Sequence, residues 1–283
     1  MSAPVLQIGE LTLTPVLDGY FALDGGAMFG VVPKVLWEKV APPDERNRIR
    51  MAMRAWLVRG PWGNLLIDAG AGGKLGDKAA TIYAFDGVPS LDRSLADAGL
   101  TPADIDIVVA THLHFDHAGG FTSRDADGTV RPHFPRARYF VRQGEWEAAL
   151  NANERTRASY MPENYVPLRD AGQLVLHDDD REIVPGVRVR RTGGHTRDHE
   201  IVEIVSGGET AVFVADLLPT AAHLPLPYIM GYDLFPLETL EFKRGFLREA
   251  VEGRYLLLFE HDPVIAAGRL GEVDGKLRVE PEL

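Results

Sequence analysis

The chain has 283 residues, 45% of them hydrophobic and 25% charged, with a formal net charge of −11 and no cysteine. Its length and apolar fraction suit one globular domain over residues 1–283 with a layered core, and exclude a disordered class. The acidic balance argues against a nucleic-acid partner, which needs a cationic surface, and the missing thiols exclude disulfides, thiolate-held metal and a cysteine nucleophile.

The N-terminal stretch lacks a basic leader region, and no segment stays apolar for 18 residues, so a cytoplasmic protein without a membrane partner is expected. Residues 5–17 read as a strand. Residues 18–40 read as an apolar insertion carrying Phe21, Met28, Phe29, Leu36 and Trp37, which would wall a pocket, make a homodimer contact or complete the core. Strands over 51–58 and 64–68, parted by Gly60-Pro61-Trp62-Gly63, read as a hairpin. Ser90 and Gly99 bracket a helix, and Thr101-Pro102 introduces a strand over 104–111 whose continuous apolar run predicts burial on both faces.

That strand runs into His112-Leu113-His114-Phe115-Asp116-His117, three imidazoles and a carboxylate in six residues. Buried together, such groups call for a cation, and nitrogen and oxygen donors suit Zn, Co, Mn or Fe. His112 and His114 can share one side of an extended backbone, with Asp116 and His117 turned away, so one loop can feed two adjacent metal positions. Gly119 and Gly120 follow as a flexible turn.

Later in the chain a helical region is predicted over 143–160, and the strand 188–192 leads into Gly193-Gly194-His195. The run 209–215 ends in Asp216. Pro236 opens a helix with Leu237, Leu240, Phe242, Phe246, Leu247 and Val251 at helical spacing. The apolar run 255–259 ends at Glu260-His261. Histidines or aspartates thus recur at strand ends. His133 and His177 lack such a setting and are expected at the surface.

In this ordered set of His112, His114, Asp116, His117, His195, Asp216 and His261 the chain resembles the metallo-β-lactamase superfamily. The wording around the motif and residues 25–34 look most like its N-acyl homoserine lactonase and methyl parathion hydrolase branch. The resemblance implies an α/β (α+β) fold, the αββα sandwich of two mixed sheets flanked by helices. It also implies two divalent ions, zinc first among them. His112, His114 and His195 would hold one, Asp116, His117 and His261 the other, with Asp216 bridging both. A hydroxide between the metals would attack the substrate, and Asp116 would return a proton to the leaving group. The expected function is a lactonase of quorum-quenching type acting on an apolar lactone or ester, with phosphotriesterase and arylesterase side activity. The alternatives are a glyoxalase II-like thioesterase and a mononuclear-iron sulfur dioxygenase-type oxidoreductase.

Two departures from the family pattern stand out. The family's His-Thr-Pro-Gly-His reads His195-Thr196-Arg197-Asp198-His199, so His199 is expected to hydrogen-bond rather than ligate. The branch's tyrosine three residues after the bridging aspartate is absent, since Pro219 stands there. His223 is a candidate to replace it. Asp68, ahead of Ala69-Gly70, is expected to hydrogen-bond a ligand imidazole from behind and fix its tautomer. Met28, Phe29, Tyr83, Phe85 and Tyr228 are candidates for the substrate pocket.

Overall fold

The two sheets of the molecule meet through strands that are apolar on both faces. The structure is a computed structural model that describes residues 4–283; residues 1–3 of the N-terminal stretch lie outside it. The first sheet opens with β1 (Leu6–Ile8), β2 (Leu11–Asp24), β3 (Arg48–Gly60), β4 (Gly63–Ile67) and β5 (Ile107–Val109). A small ribbon, β6 (Thr122–Arg124) with β7 (Val130–Pro132), precedes its last strands, β8 (Arg138–Arg142) and β9 (Leu174–His177). The second sheet holds β10 (Glu182–Val184), β11 (Val187–Arg191), β12 (Glu200–Ser206), β13 (Glu209–Phe213), β14 (Leu256–Leu258), β15 (Ala267–Val273) and β16 (Lys276–Pro281) in sequence order.

Both sheets are mixed. In the first, β1 to β4 are antiparallel and β4, β5, β8 and β9 run parallel. In the second only β13 and β14 are parallel. Alternation explains the sandwich: Trp56 and Val58 of β3 face the inter-sheet core with Val189, Ile204 and Phe213, while Ala55 and Leu57 face the opposite layer. That outer layer is covered by α4 (Leu91–Asp97) and α6 (Gln143–Leu150), and the far face of the second sheet by α8 (Pro236–Glu252). The αββα sandwich is therefore present.

Several boundaries differ from the sequence reading. The first strand breaks at Gly9, which has a φ of 53°, and then continues to Asp24, so only the later part of residues 18–40 stands outside the sheet. There, α1 (Gly25–Phe29) and α2 (Lys34–Trp37) bury Met28, Phe29 and Trp37 beside Phe21 and Met51, whereas Val31, Val35 and Leu36 stay exposed. The helix expected over 143–160 ends at Leu150, because the Asn153 side chain accepts from the Arg155 and Thr156 amides and turns the chain.

In α8 the buried face is Thr239, Lys243, Phe246, Leu247 and Ala250, and Leu237 and Val251 point outward. Lys243 can occupy that face because its ammonium donates to the carbonyls of His223, Pro225 and Tyr228. His177 is buried beside Glu200, not at the surface as its lack of context suggested. His133, partly buried, pairs with Asp92. Among the described residues no helix is long and apolar enough to cross a membrane.

Candidate metal centre

Strand direction gathers the chemistry on one edge. β4 and β5 are parallel, as are β13 and β14, so Asp68, the His112 loop, Asp216 and His261 all leave the sheets at C-terminal ends. β11 and β13 both run antiparallel to β12, which brings the loop after β11, carrying His195, to the same edge. The His112 loop turns immediately into α5 (Phe115–Ala118).

The turn after α5 does not need special backbone angles, contrary to the sequence expectation. Gly119 and Gly120 are glycine because of proximity: a Cβ on Gly119 would lie 2.1 Å from the Ala71 carbonyl oxygen, and one on Gly120 2.1 Å from that of Ala69. The metal loop is thus pressed against the segment after β4. Ala215, just before Asp216, instead adopts a φ of 41°, a strained conformation for a residue with a side chain.

Two groups of donors meet at the cavity, each with its atoms within 4.8 Å of one another, His112, His114, His195 and Asp216, and beside them Asp116, His117 and His261, while a third, Asp68, His117 and Glu260, shares His117 with the second. Asp216 faces both. Its Oδ2 lies 3.0 Å from His195 Nε2 and 3.9 Å from His112 Nε2, and its Oδ1 3.2 Å from His261 Nε2 and 3.5 Å from His117 Nε2. Within each group imidazole nitrogens approach closely, His114 Nδ1 to His195 Nε2 at 3.0 Å and His117 Nε2 to His261 Nε2 at 3.2 Å.

These residues fit divalent cations. Six of the seven are buried and His114 is half-buried, and His112 Nε2 has no hydrogen-bond partner among the described residues. Burial holds His112 and His114 well below the ordinary imidazole range. At His195 and His261 burial is outweighed, by Asp216 and Asp233 at the first and by Asp216 and Glu260 at the second, where the value rises to about 9. The cluster therefore draws in positive charge that its imidazoles cannot all supply as protons, and nitrogen and oxygen donors in this number suit a borderline metal.

Behind the donors lies a set of hydrogen bonds. Asp68 accepts from the Thr111 amide at 2.8 Å, from the Thr111 hydroxyl at 2.6 Å and from His117 Nδ1 at 3.0 Å. Glu260 reaches the same Nδ1 at 2.8 Å, so two buried carboxylates address one imidazole. His199 accepts the Asp216 amide at Nε2, 3.2 Å, and meets the Thr192 hydroxyl at Nδ1, 2.7 Å. His195 Nδ1 donates to Asp233, His261 Nδ1 to the Ala52 carbonyl.

The sequence reading gives no role to Asp233 or Glu260, nor to Glu145 of α6, which is also buried. A charged residue directly before His261 at a strand end was the available signal for Glu260. Asp233 gave none, being a loop residue 38 positions from its partner.

A cavity of about 420 Å³ opens over the cluster, with His114, Asp116, His195, Asp216 and His261 in its floor. Leu23, Met28, Met51, Phe115, Met230 and Leu234 make its walls apolar, and Tyr83, Tyr232, Ser159 and Arg155 add polar groups. Met28 and Tyr83 thus line it, but Phe29, Phe85, Tyr228 and His223 do not. His223 sits behind the wall, stacked on Phe29 with centroids 4.6 Å apart, and both its nitrogens are engaged, by Thr220 at 2.8 Å and the Met28 carbonyl at 2.9 Å. It has no free donor for a substrate oxygen. Phe29 and Tyr228 pack against one another edge to face in the same layer.

Comparison with known proteins gives a consistent picture. The family model of the metallo-beta-lactamase superfamily matches residues 54–247. An N-acyl homoserine lactonase of Bacillus sp is 33% identical over 107 residues, 38% of this chain and 35% of that protein, so the chain matches about a third of the length of such curated relatives. A probable metal-dependent hydrolase from Staphylococcus aureus superposes with a TM-score of 0.90 at 33% identity, over 98% of this chain and 100% of that one. The dizinc quorum-quenching lactonase AidC, solved with a product, superposes with a TM-score of 0.81 at 21% identity, over 100% and 98%, a likeness of fold.

Proposed function

This chain belongs to the metallo-β-lactamase superfamily, and from that premise we propose that it is a hydrolase that opens lactone rings at a centre of two divalent ions, zinc in the first instance. The observation that carries the proposal is Asp216, whose two oxygens face two separate sets of imidazoles beneath an apolar cavity. In this reading His112, His114 and His195 hold one ion, Asp116, His117 and His261 the other, and Asp216 both. The ions would supply Lewis acidity and a water that ionises near neutral pH.

The protein's own groups do the rest. The apolar walls exclude water and hold a hydrocarbon arm, which favours neutral lactones and esters over sugar phosphates. Asp116, in the cavity floor 3.8 Å from His261 Nε2, is the group we assign to return a proton to the departing alkoxide oxygen. Tyr83 stacks on Phe115 with centroids 5.0 Å apart, and burial, with Asp116 nearby, keeps its phenol protonated. A phenol that keeps its proton is a donor, and we assign it to the carbonyl oxygen in place of the absent family tyrosine. Neutral aryl esters and phosphotriesters fit the same walls as side substrates. Among the described residues Arg155 is the only lysine or arginine lining the cavity, which gives a glutathione thioester little to hold it.

The test is a substrate panel on protein of measured metal content: N-acyl homoserine lactones, γ- and δ-lactones, aryl esters, a paraoxon-type triester and a glutathione thioester. Lactones should be turned over fastest, and Asp216→Ala should abolish all activities together. Preferred turnover of the thioester, or one redox-active iron per chain, would refute the proposal.

A further inference from the structure

Glu145 on α6 is 1% exposed and forms no ion pair with any lysine or arginine among the described residues. Burying a carboxylate is unfavourable unless hydrogen bonds offset the lost hydration, so the fold has to supply donors. Three arrive from separate parts of the chain. The Leu113 amide donates to Oε1 at 3.0 Å, the Tyr160 hydroxyl to Oε1 at 2.8 Å, and the Thr196 hydroxyl to Oε2 at 2.6 Å.

The donors have one thing in common: each adjoins a member of the same donor group. Leu113 lies between His112 and His114. Thr196 follows His195. Tyr160 packs its ring edge-on against His114, centroids 4.9 Å apart, and its backbone forms a bridge with that residue. None of the three adjoins His117 or His261.

We propose that Glu145 is a positioning residue for the first metal group alone, tying the His112–His114 segment to the His195 loop so that their nitrogens converge on one ion. The inference rests on the two-ion reading above. Carboxylates that orient ligands through outer hydrogen bonds change metal affinity by about 10- to 100-fold. A glutamine at 145 has nearly the same shape but one acceptor oxygen, and its amide group would meet a donor head-on.

The experiment titrates metal-free wild type and Glu145→Gln with cobalt, and reads occupancy of each group separately by anomalous scattering from crystals equilibrated at limiting cobalt. Wild type should take up two ions. In Glu145→Gln the first group should bind about 10- to 100-fold more weakly while the second stays within about threefold of wild type. Thr196→Val and Tyr160→Phe, which each delete one donor and leave the carboxylate, should weaken the same group by less, and they carry the test if Glu145→Gln fails to fold.

Equal weakening of both groups, or none in either, overturns the inference and leaves the two-ion reading standing. A wild-type protein that takes up no cobalt overturns both.

Discussion

The His195 imidazole donates from Nδ1 to Asp233 Oδ1 at 2.9 Å across 38 residues of chain, and Asp233 in turn accepts the Thr239 hydroxyl from α8 at 2.7 Å. This fixes which nitrogen of His195 faces Asp216, and it fastens the one donor loop of the second sheet's early strands to the helix behind it.

Asp233→Asn should therefore weaken metal binding at the first group by about 10- to 100-fold while the far-ultraviolet circular dichroism stays that of wild type. Competition with a chelating dye measures it. Unchanged affinity would show that His195 needs no such partner.

Gly120→Ala tests the close approach of the metal loop to the segment after β4. Its Cβ would sit 2.1 Å from the Ala69 carbonyl oxygen, with backbone rather than a flexible side chain in the way. A loss of about 3 kcal/mol or more in unfolding free energy is expected from urea denaturation of the metal-free protein. Gly73, where an added Cβ meets nothing within 4 Å and the backbone is outside the left-handed region, is the control.

His223 predicts an acid dependence. Burial, first among the causes, lowers its pKa from 6.5 to about 4, and its ring nitrogens meet the Thr220 hydroxyl and the Met28 carbonyl. In the folded state it binds its proton only near pH 4, whereas the unfolded chain binds it near 6.5. Its contribution is thus fully present above pH 6.5 and is lost as the pH falls from 6.5 through 4, by up to about 3 kcal/mol. His223→Gln should flatten that part of the stability profile of the metal-free protein. Parallel profiles for the two proteins would contradict it.

Much of the sandwich could be read from the chain, because β3, β4 and β13 are apolar on both faces and their ends carry turn residues. The seven donors were readable for the same reason: each follows a strand, and strand ends converge by topology. What lay hidden depends on chain segments meeting. Glu145 looks like a surface charge on a helix until Leu113, Tyr160 and Thr196 surround it. His177 has no marker of burial in its neighbours, and the outward Leu237 and inward Lys243 of α8 reverse their hydropathy because three carbonyls await the amine. His223 was plausible near the substrate by sequence distance, yet its hydrogen bonds turn it into the back of the wall.

The central claim is that Asp216 joins two ions held by the six other donors. Anomalous diffraction from zinc-loaded crystals measures it directly. The account predicts two peaks, one within about 2.0–2.2 Å of a nitrogen of each of His112, His114 and His195, the other at that distance from an Asp116 oxygen and a nitrogen of each of His117 and His261, with an Asp216 oxygen shared. A single peak, or a peak pair that leaves Asp216 uncoordinated, would contradict it.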